Sequence, residues 1–260
     1  MRKETITSAQ NPKIKTLLAL EEKSKLRREK GLFVVEGKRE TERCIEAGYE
    51  VETIFLCPEI YPEEPAYDCQ IIEVPKSLYE KIAYRSGTEG IIAEVKTKEL
   101  TLNNIKLSEH PLVVVLESVE KPGNLGAVLR SADAAGADAV IICDPLTDLY
   151  NPNLIRASTG GIFSVQCAAC TSEEAIEWLR SNNIQILSAQ LQDSSLYYDV
   201  DMTKGTAIVI GTEATGLTDE WRKAASAHVR IPMLGKLDSL NASVSAAILL
   251  YEAVRQRNSI

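Results

Sequence analysis

The chain has 260 residues with 45% hydrophobic and 25% charged content, enough for one large domain or two modest ones. No run approaches the ~18 uninterrupted apolar residues of a membrane span, and the opening MRKETITSAQNPKIKTLLAL is too broken by charge for a secretory signal, so a cytoplasmic protein with no membrane partner is expected. A net charge of −8 argues against nucleic-acid binding by the whole surface, yet residues 1–40 carry eleven Lys and Arg against six Glu, a local +5 on an acidic body.

Apolar spacing and Gly punctuation predict, in order, a helix over 10–30, a strand over 31–37, a helix over 38–48 and a strand over 51–57. A Pro-rich acidic connection spans 58–68. A strand (70–75), a helix (76–84) and a strand (90–97) complete a small α/β unit, and the polar stretch KTKELTLNNIKLSEHP reads as a linker. The predicted domains are therefore 1–105 and 106–260. From Pro111 onward strands and helices alternate: LVVVLESV, GNLGAVLRSADAAG, ADAVIICD, NPNLIRASTGG, FSVQCAA, SEEAIEWLRSNN, IQILSAQ, TAIVIG, TDEWRKAAS, AHVRIPM and a closing helix from Ser239. Near-continuous apolar strands separated by helices imply an α/β fold whose parallel sheet is covered on both faces.

The six cysteines lie in mostly apolar contexts that suit reduced thiols, and Cys167 with Cys170 forms a lone C-x-x-C that lacks a second ligand pair. With only His110 and His228 in the chain, neither a metal site nor a His-dependent hydrolase is expected. Dinucleotide and phosphate-loop fingerprints are both missing.

Ligands of such sheets bind in the loops after the strands. Those loops read EKPGNLG (120–126), GTEATGL (211–217) and PMLGKLDSLNAS (232–243). Asn124 reads as an N-cap or turn residue, and Arg130 lies farther along the same helix among small residues, as a solvated or ion-paired side chain or a phosphate contact. Glu213 reads as a cap for the helix near Thr218 or as a partner of Arg130. Ser239 reads as the N-cap of the last helix, with Asn241 and Ser243 in a first turn whose N–H groups can dock a polar ligand.

Taken together, ESVEKPGNLGAVLRSADAAGADAVI, IVIGTEATGL and IPMLGKLDSLNASVSAAILLYE resemble the three motifs of the SpoU (TrmH) family of RNA ribose 2′-O-methyltransferases in the SPOUT superfamily, in the family's order. The segment SAQNPKIKTLLAL…FVVEGKRETERCIEAG resembles that family's substrate-binding domain, akin to an RNA-binding ribosomal protein. The resemblance implies a deep trefoil knot in the C-terminal domain, S-adenosylmethionine as cofactor, and a homodimer with its active site at the subunit interface. It carries catalytic roles onto Asn124, Arg130, Glu213, Ser239 and Asn241, and cofactor contacts onto Ala189, Gly211, Gly216, Ile231, Met233 and Leu240. One change, SLNASV where many relatives have SLNVSV, is expected to alter packing only.

The implied reaction moves a methyl group to a ribose 2′-hydroxyl of RNA, ribosomal RNA ahead of transfer RNA. A guanidinium keeps its proton, so Arg130 is read as positioning a phosphate and stabilising alkoxide charge while solvent or a neighbouring group takes the proton. Lys13, Lys15, Lys23, Lys25, Arg27 and Arg28 form the expected RNA-tracking surface. The alternatives are a transfer RNA methyltransferase, a catalytically silent RNA-binding factor on the same fold, and a nucleotide-linked enzyme on an ordinary doubly wound sheet.

Overall fold

The computed structural model describes residues 3–63, 68–85, 89–212 and 215–258. In chain order it contains β1 (Lys3–Thr5), α1 (Pro12–Glu22), α2 (Ser24–Lys30), β2 (Leu32–Glu36), α3 (Lys38–Glu46), β3 (Val51–Leu56), β4 (Gln70–Glu73), α4 (Lys76–Ile82) and β5 (Ile91–Lys96). There follow β6 (Leu112–Glu117), α5 (Pro122–Ala134), β7 (Ala139–Cys143), α6 (Pro152–Ala157), α7 (Gly161–Ser164), β8 (Gln166–Cys170) and α8 (Ser172–Ser181). The remainder comprises β9 (Gln185–Ala189), β10 (Ser195–Leu196), β11 (Thr206–Ile210), α9 (Asp219–Ala224), β12 (Ala227–Arg230) and α10 (Ala242–Arg257). Packing divides the chain into two units: Met1–Glu99 with Asp148–Ser164, and Leu100–Thr147 with Val165–Ile260.

In the first unit Asn11 caps α1, its side chain accepting from the Lys13 N–H at 2.9 Å, and Pro12 stands at the first helical position, where an N–H is not needed. The single helix predicted over 10–30 is broken. Lys23 is extended (φ −111°, ψ 103°), and α2 runs from Ser24 to a left-handed Gly31. Arg27 of α2 is 3% exposed; its Nε meets Asp148 Oδ2 at 2.6 Å, and its guanidinium also donates to the carbonyls of Leu20 and Glu21.

Five strands form a mixed sheet in the order β1-β4-β3-β5-β2. The sequence pattern did not foresee β1, which is short and lies at the sheet's edge. Ile14, Leu17 and Leu20 of α1 and Leu78 and Ile82 of α4 bury Val34, Phe55 and Ile72 of the sheet. Strand alternation turns Phe33 to the opposite face from Val34. There it stacks on Tyr150, ring centres 4.3 Å apart, beside Tyr49 and Phe163. The segment Asp148–Ser164 thus belongs to the core of this unit although it follows β7 in the chain. The Tyr150 hydroxyl adds bonds of 3.0 Å to both the N–H and the carbonyl of Lys98, and Arg43 donates to the Thr159 carbonyl.

The second unit is built on seven parallel strands, among the described residues, in the order β10-β12-β9-β11-β6-β7-β8. Strands β6, β7 and β11 are buried along their whole length, the signature of a parallel sheet sheathed on both sides. On one side Leu179 of α8 and the fully buried Trp221 of α9 pack on Val113, Ile186 and Val209. Helix α10 packs against α5 and β11. Phe163 and Ser164, expected to open a strand, instead end α7, and β8 starts at Gln166. The last turn of α10 is tied down by Arg257, whose guanidinium donates to the carbonyls of His110, Pro111, Met202 and Lys204 at 2.7 to 3.2 Å. No helix is long and apolar enough to cross a membrane among the described residues.

Candidate active site

In the second unit the carboxyl ends of β9, β11 and β12 and the loop into α10 enclose a cavity of about 360 Å³, within the range of small-molecule sites. All six residues expected to contact cofactor, Ala189, Gly211, Gly216, Ile231, Met233 and Leu240, line it. Its walls combine Ile210, Leu217, Val229 and Leu249 with the polar Gln190, Arg222, Asp238 and Ser239. This amphipathic lining fits S-adenosylmethionine, whose adenine ring needs apolar walls and whose methionyl end needs polar partners.

The loop after β11 explains its glycines. A Cβ on Gly211 would collide with the Gly216 carbonyl and come within 2.5 Å of the Leu217 nitrogen. The loop closes on itself through Gly216 N–H to the Thr212 carbonyl at 3.0 Å, with Gly216 at φ +69°. Glu213, expected to serve catalysis, lies outside the described residues.

The polar cluster at the mouth of α10 is also resolved. Asn241, not Ser239, is the N-cap: its Oδ1 accepts from the Ser243 N–H at 2.9 Å and the Ser243 hydroxyl at 2.6 Å. Its Nδ2 donates to Asn124 Oδ1 at 3.1 Å, joining the first motif to the third. Asn124 is the third residue of α5, inside the helix rather than capping it. Ser239, freed from capping, lines the cavity with its hydroxyl 3.4 Å from Asp238. Arg130 stands apart: it is exposed on α5, absent from the cavity wall, and makes no hydrogen bond or ion pair among the described residues.

A residue that sequence reasoning passed over is Glu117. It closes the wholly buried β6 and is itself 3% exposed. Its carboxylate accepts from the Thr218 N–H at 3.0 Å and the Thr218 hydroxyl at 2.6 Å. A glutamate ending the run LVVVL was the available signal.

Cys167 and Cys170 fall on strand β8, three positions apart, so alternation turns them to opposite faces and they cannot converge on one ion. Burial pushes the Cys167 thiol up to about 12.

The sequence profile described as the SpoU rRNA Methylase family matches residues 111–251, and that of the MRM3-like substrate binding domain matches residues 11–93. The chain belongs to the SpoU rRNA methylase family. A relative, the 23S rRNA (uridine(2479)-2′-O)-methyltransferase of Streptomyces viridochromogenes, is 32% identical over 88% of this chain and 84% of its own. A crystal structure of an RNA 2′-O ribose methyltransferase is 41% identical, with a TM-score of 0.84 over 98% of this chain and 99% of that one. The AdoMet-bound rRNA methyltransferase of Sinorhizobium meliloti is 30% identical, with a TM-score of 0.89 over 97% of this chain and 98% of that one. The SpoU profile covers every segment that builds the cavity, and the substrate-binding profile falls within the first unit.

Proposed function

We propose that this SpoU family chain methylates a ribose 2′-hydroxyl of RNA, with S-adenosylmethionine as donor and ribosomal RNA as substrate. The observation that carries the reading is the Asn241–Asn124 hydrogen bond, which sets two motif amides beside a cavity lined by the six expected cofactor residues. The names of its relatives favour ribosomal over transfer RNA. Incubating the protein with labelled S-adenosylmethionine and ribosomal RNA, then mapping 2′-O-methyl groups, should reveal label on ribose; label on a base would overturn the reading.

Bound there, S-adenosylmethionine supplies a sulfonium-activated methyl group. The protein's task is to align the ribose oxygen with it and to hold water away. Asn124 and Asn241 fix each other's orientation at the mouth of α10, and Ser239 lies on the cavity wall. Arg130 binds the neighbouring phosphate and stabilises developing oxyanion charge while solvent takes the proton.

Arg130 is exposed and off the cavity wall of its own chain, which suits a role at the cavity of a partner protomer. Exposed apolar residues Val244 and Tyr251 on α10 supply a face for that homodimer. Arg130→Ala and Gly211→Val should each abolish transfer as pure dimers, whereas mixing them should restore about a quarter of wild-type sites, since half the dimers are mixed and each has one intact site. No recovery on mixing would show that Arg130 acts within its own chain. The implied knot belongs to the same proposal: α10 returns to α5 after the chain has formed β12 beyond β9.

RNA contact by the first unit draws on fewer cations than charge alone suggested. Lys13 is paired with Glu4 and Lys25 with Glu29, while Arg27 is buried against Asp148. Lys15, Lys23 and Arg28 are exposed and remain for phosphate. Replacing these three by Glu should weaken RNA binding and flatten its salt dependence; an unchanged salt slope would remove this surface from the interface.

A further inference from the structure

The loop that follows β11 forms much of the cavity wall through Gly211, Thr212, Thr215, Gly216 and Leu217. Its near end is fixed by the ladder between β11 and β6, where Ile210 pairs with Leu116. Its far end is Thr218, which the next residue along β6, Glu117, grips through both carboxylate oxygens. Both ends of the loop are thus referenced to one strand.

Thr218 occupies the N-cap position of α9, yet its side chain makes no capping bond to that helix. A threonine at this position ordinarily stabilises the helix by capping it. Here the hydroxyl goes to Glu117, so the local sequence favours loop position over helix capping. The arrangement repeats one strand away. Asp144, just past β7, accepts from the Ser172 hydroxyl at 2.7 Å, and Ser172 Oγ accepts from Trp221 Nε1 of α9 at 2.9 Å. Glu117 and Asp144 both precede or occupy a sharp departure from the strand, since Ser118 and Asp144 have φ near +50° (50° and 49°). Two carboxylates at adjacent strand ends therefore locate α9 and the loop before it.

We infer that Glu117 is a positioning residue for the methyl donor: through Thr218 it holds Thr215, Gly216 and Leu217 against Gly211 in the arrangement that receives S-adenosylmethionine. This rests on reading the cavity as the donor site. A loop held in its binding shape avoids the ordering cost that a free loop incurs when ligand arrives, so the bond should register in donor affinity. Removing one side of a buried hydrogen bond leaves its partner unsatisfied, which sets the expected size at about tenfold or more in Kd.

The test is calorimetric titration of the full-length protein with S-adenosylmethionine, without RNA, for wild type, Glu117→Ala, Thr218→Val, their double variant and Gly211→Val. We expect Glu117→Ala and Thr218→Val each to weaken binding about tenfold or more, the double variant to be no weaker than the worse single one, and RNA affinity to stay at the wild-type value. In turnover the loss should appear as a raised KM for the donor. A contribution to folding alone would lower Tm and leave donor Kd unchanged well below it. Thr218→Val with donor affinity within twofold of wild type overturns the inference, even should Glu117→Ala fail to fold. Gly211→Val separates the two readings: loss of binding there with normal Thr218→Val removes Glu117's role alone, whereas normal binding by Gly211→Val removes the cavity assignment and this inference with it.

Discussion

Glu21 and Glu94 of the first unit are held differently from Glu117 and Glu252 of the second. In the first, Glu21 and Glu94 are 8% and 7% exposed, and each has one side-chain oxygen without a hydrogen-bond partner among the described residues. Burial, with the Glu36 and Glu22 charges adding to it, pushes Glu21 up to about 8; burial and Glu52 push Glu94 up to about 7. In the second unit Glu117 has both oxygens on Thr218. Glu252, 8% exposed, accepts two bonds from Arg255 and one from Gln256, and the Arg255 bonds hold it below the usual carboxylate range against the effect of burial. Burial favours the protonated form of Glu21 and Glu94, whereas Glu117 and Glu252 have partners for their oxygens, and Glu117 uses them to hold a loop. Of these four acids only Glu117 has its partners on another element among the described residues, next to the loop that lines the cavity.

The strongest way to break this contrast is to unpair a charge in the first unit. Arg27→Ala leaves Asp148 without its partner and should destabilise the protein by about 3 kcal/mol, read as a shift in denaturant midpoint; a change below 1 kcal/mol would class that pair with surface ones. Next comes pH. Glu21 and Glu94 hold protons more tightly folded than unfolded, so their contribution is complete below pH ~4.5 and declines as pH rises through about 7 and then about 8. Glu21→Gln should therefore match wild type near pH 5 and exceed it at pH 8.5, by on the order of 1 kcal/mol. Equal stability at both pH values would mean that Glu21 is satisfied in solution. The smallest effect belongs to Arg255→Ala. Arg255 is 61% exposed, so loss of its pairing with Glu252 should cost about 0.5 kcal/mol and fade in 1 M salt.

Much of the catalytic half was legible in the sequence because its chemistry is local. Apolar strands such as AVIIC and TAIVI announce a sheathed parallel sheet, and polar, Gly-rich loops after the strands announce where ligand binds. The N-cap moved from Ser239 to Asn241 because either residue suits the role, and only the Asn124 contact from another helix decides between them. Glu117 escaped notice because its partner lies about a hundred residues away across the sheet. The break at Lys23 was hidden for a related reason: the helical pattern runs unbroken through 10–30, while the burial of Arg27 depends on Asp148 in a distant segment. Charge counting likewise does not show that Lys13 pairs with Glu4 and that Arg27 is buried against Asp148.

The excursion of Asp148–Ser164 into the first unit bears on how the gene can be dissected. A fragment starting near residue 106 would carry Tyr150, Ile155 and Phe163 away from Phe33 and Tyr49, baring greasy surface that invites clumping in the test tube. A workable catalytic fragment needs that excursion replaced by a short bridge from Thr147 to Val165, and a workable RNA-binding fragment needs it grafted back on.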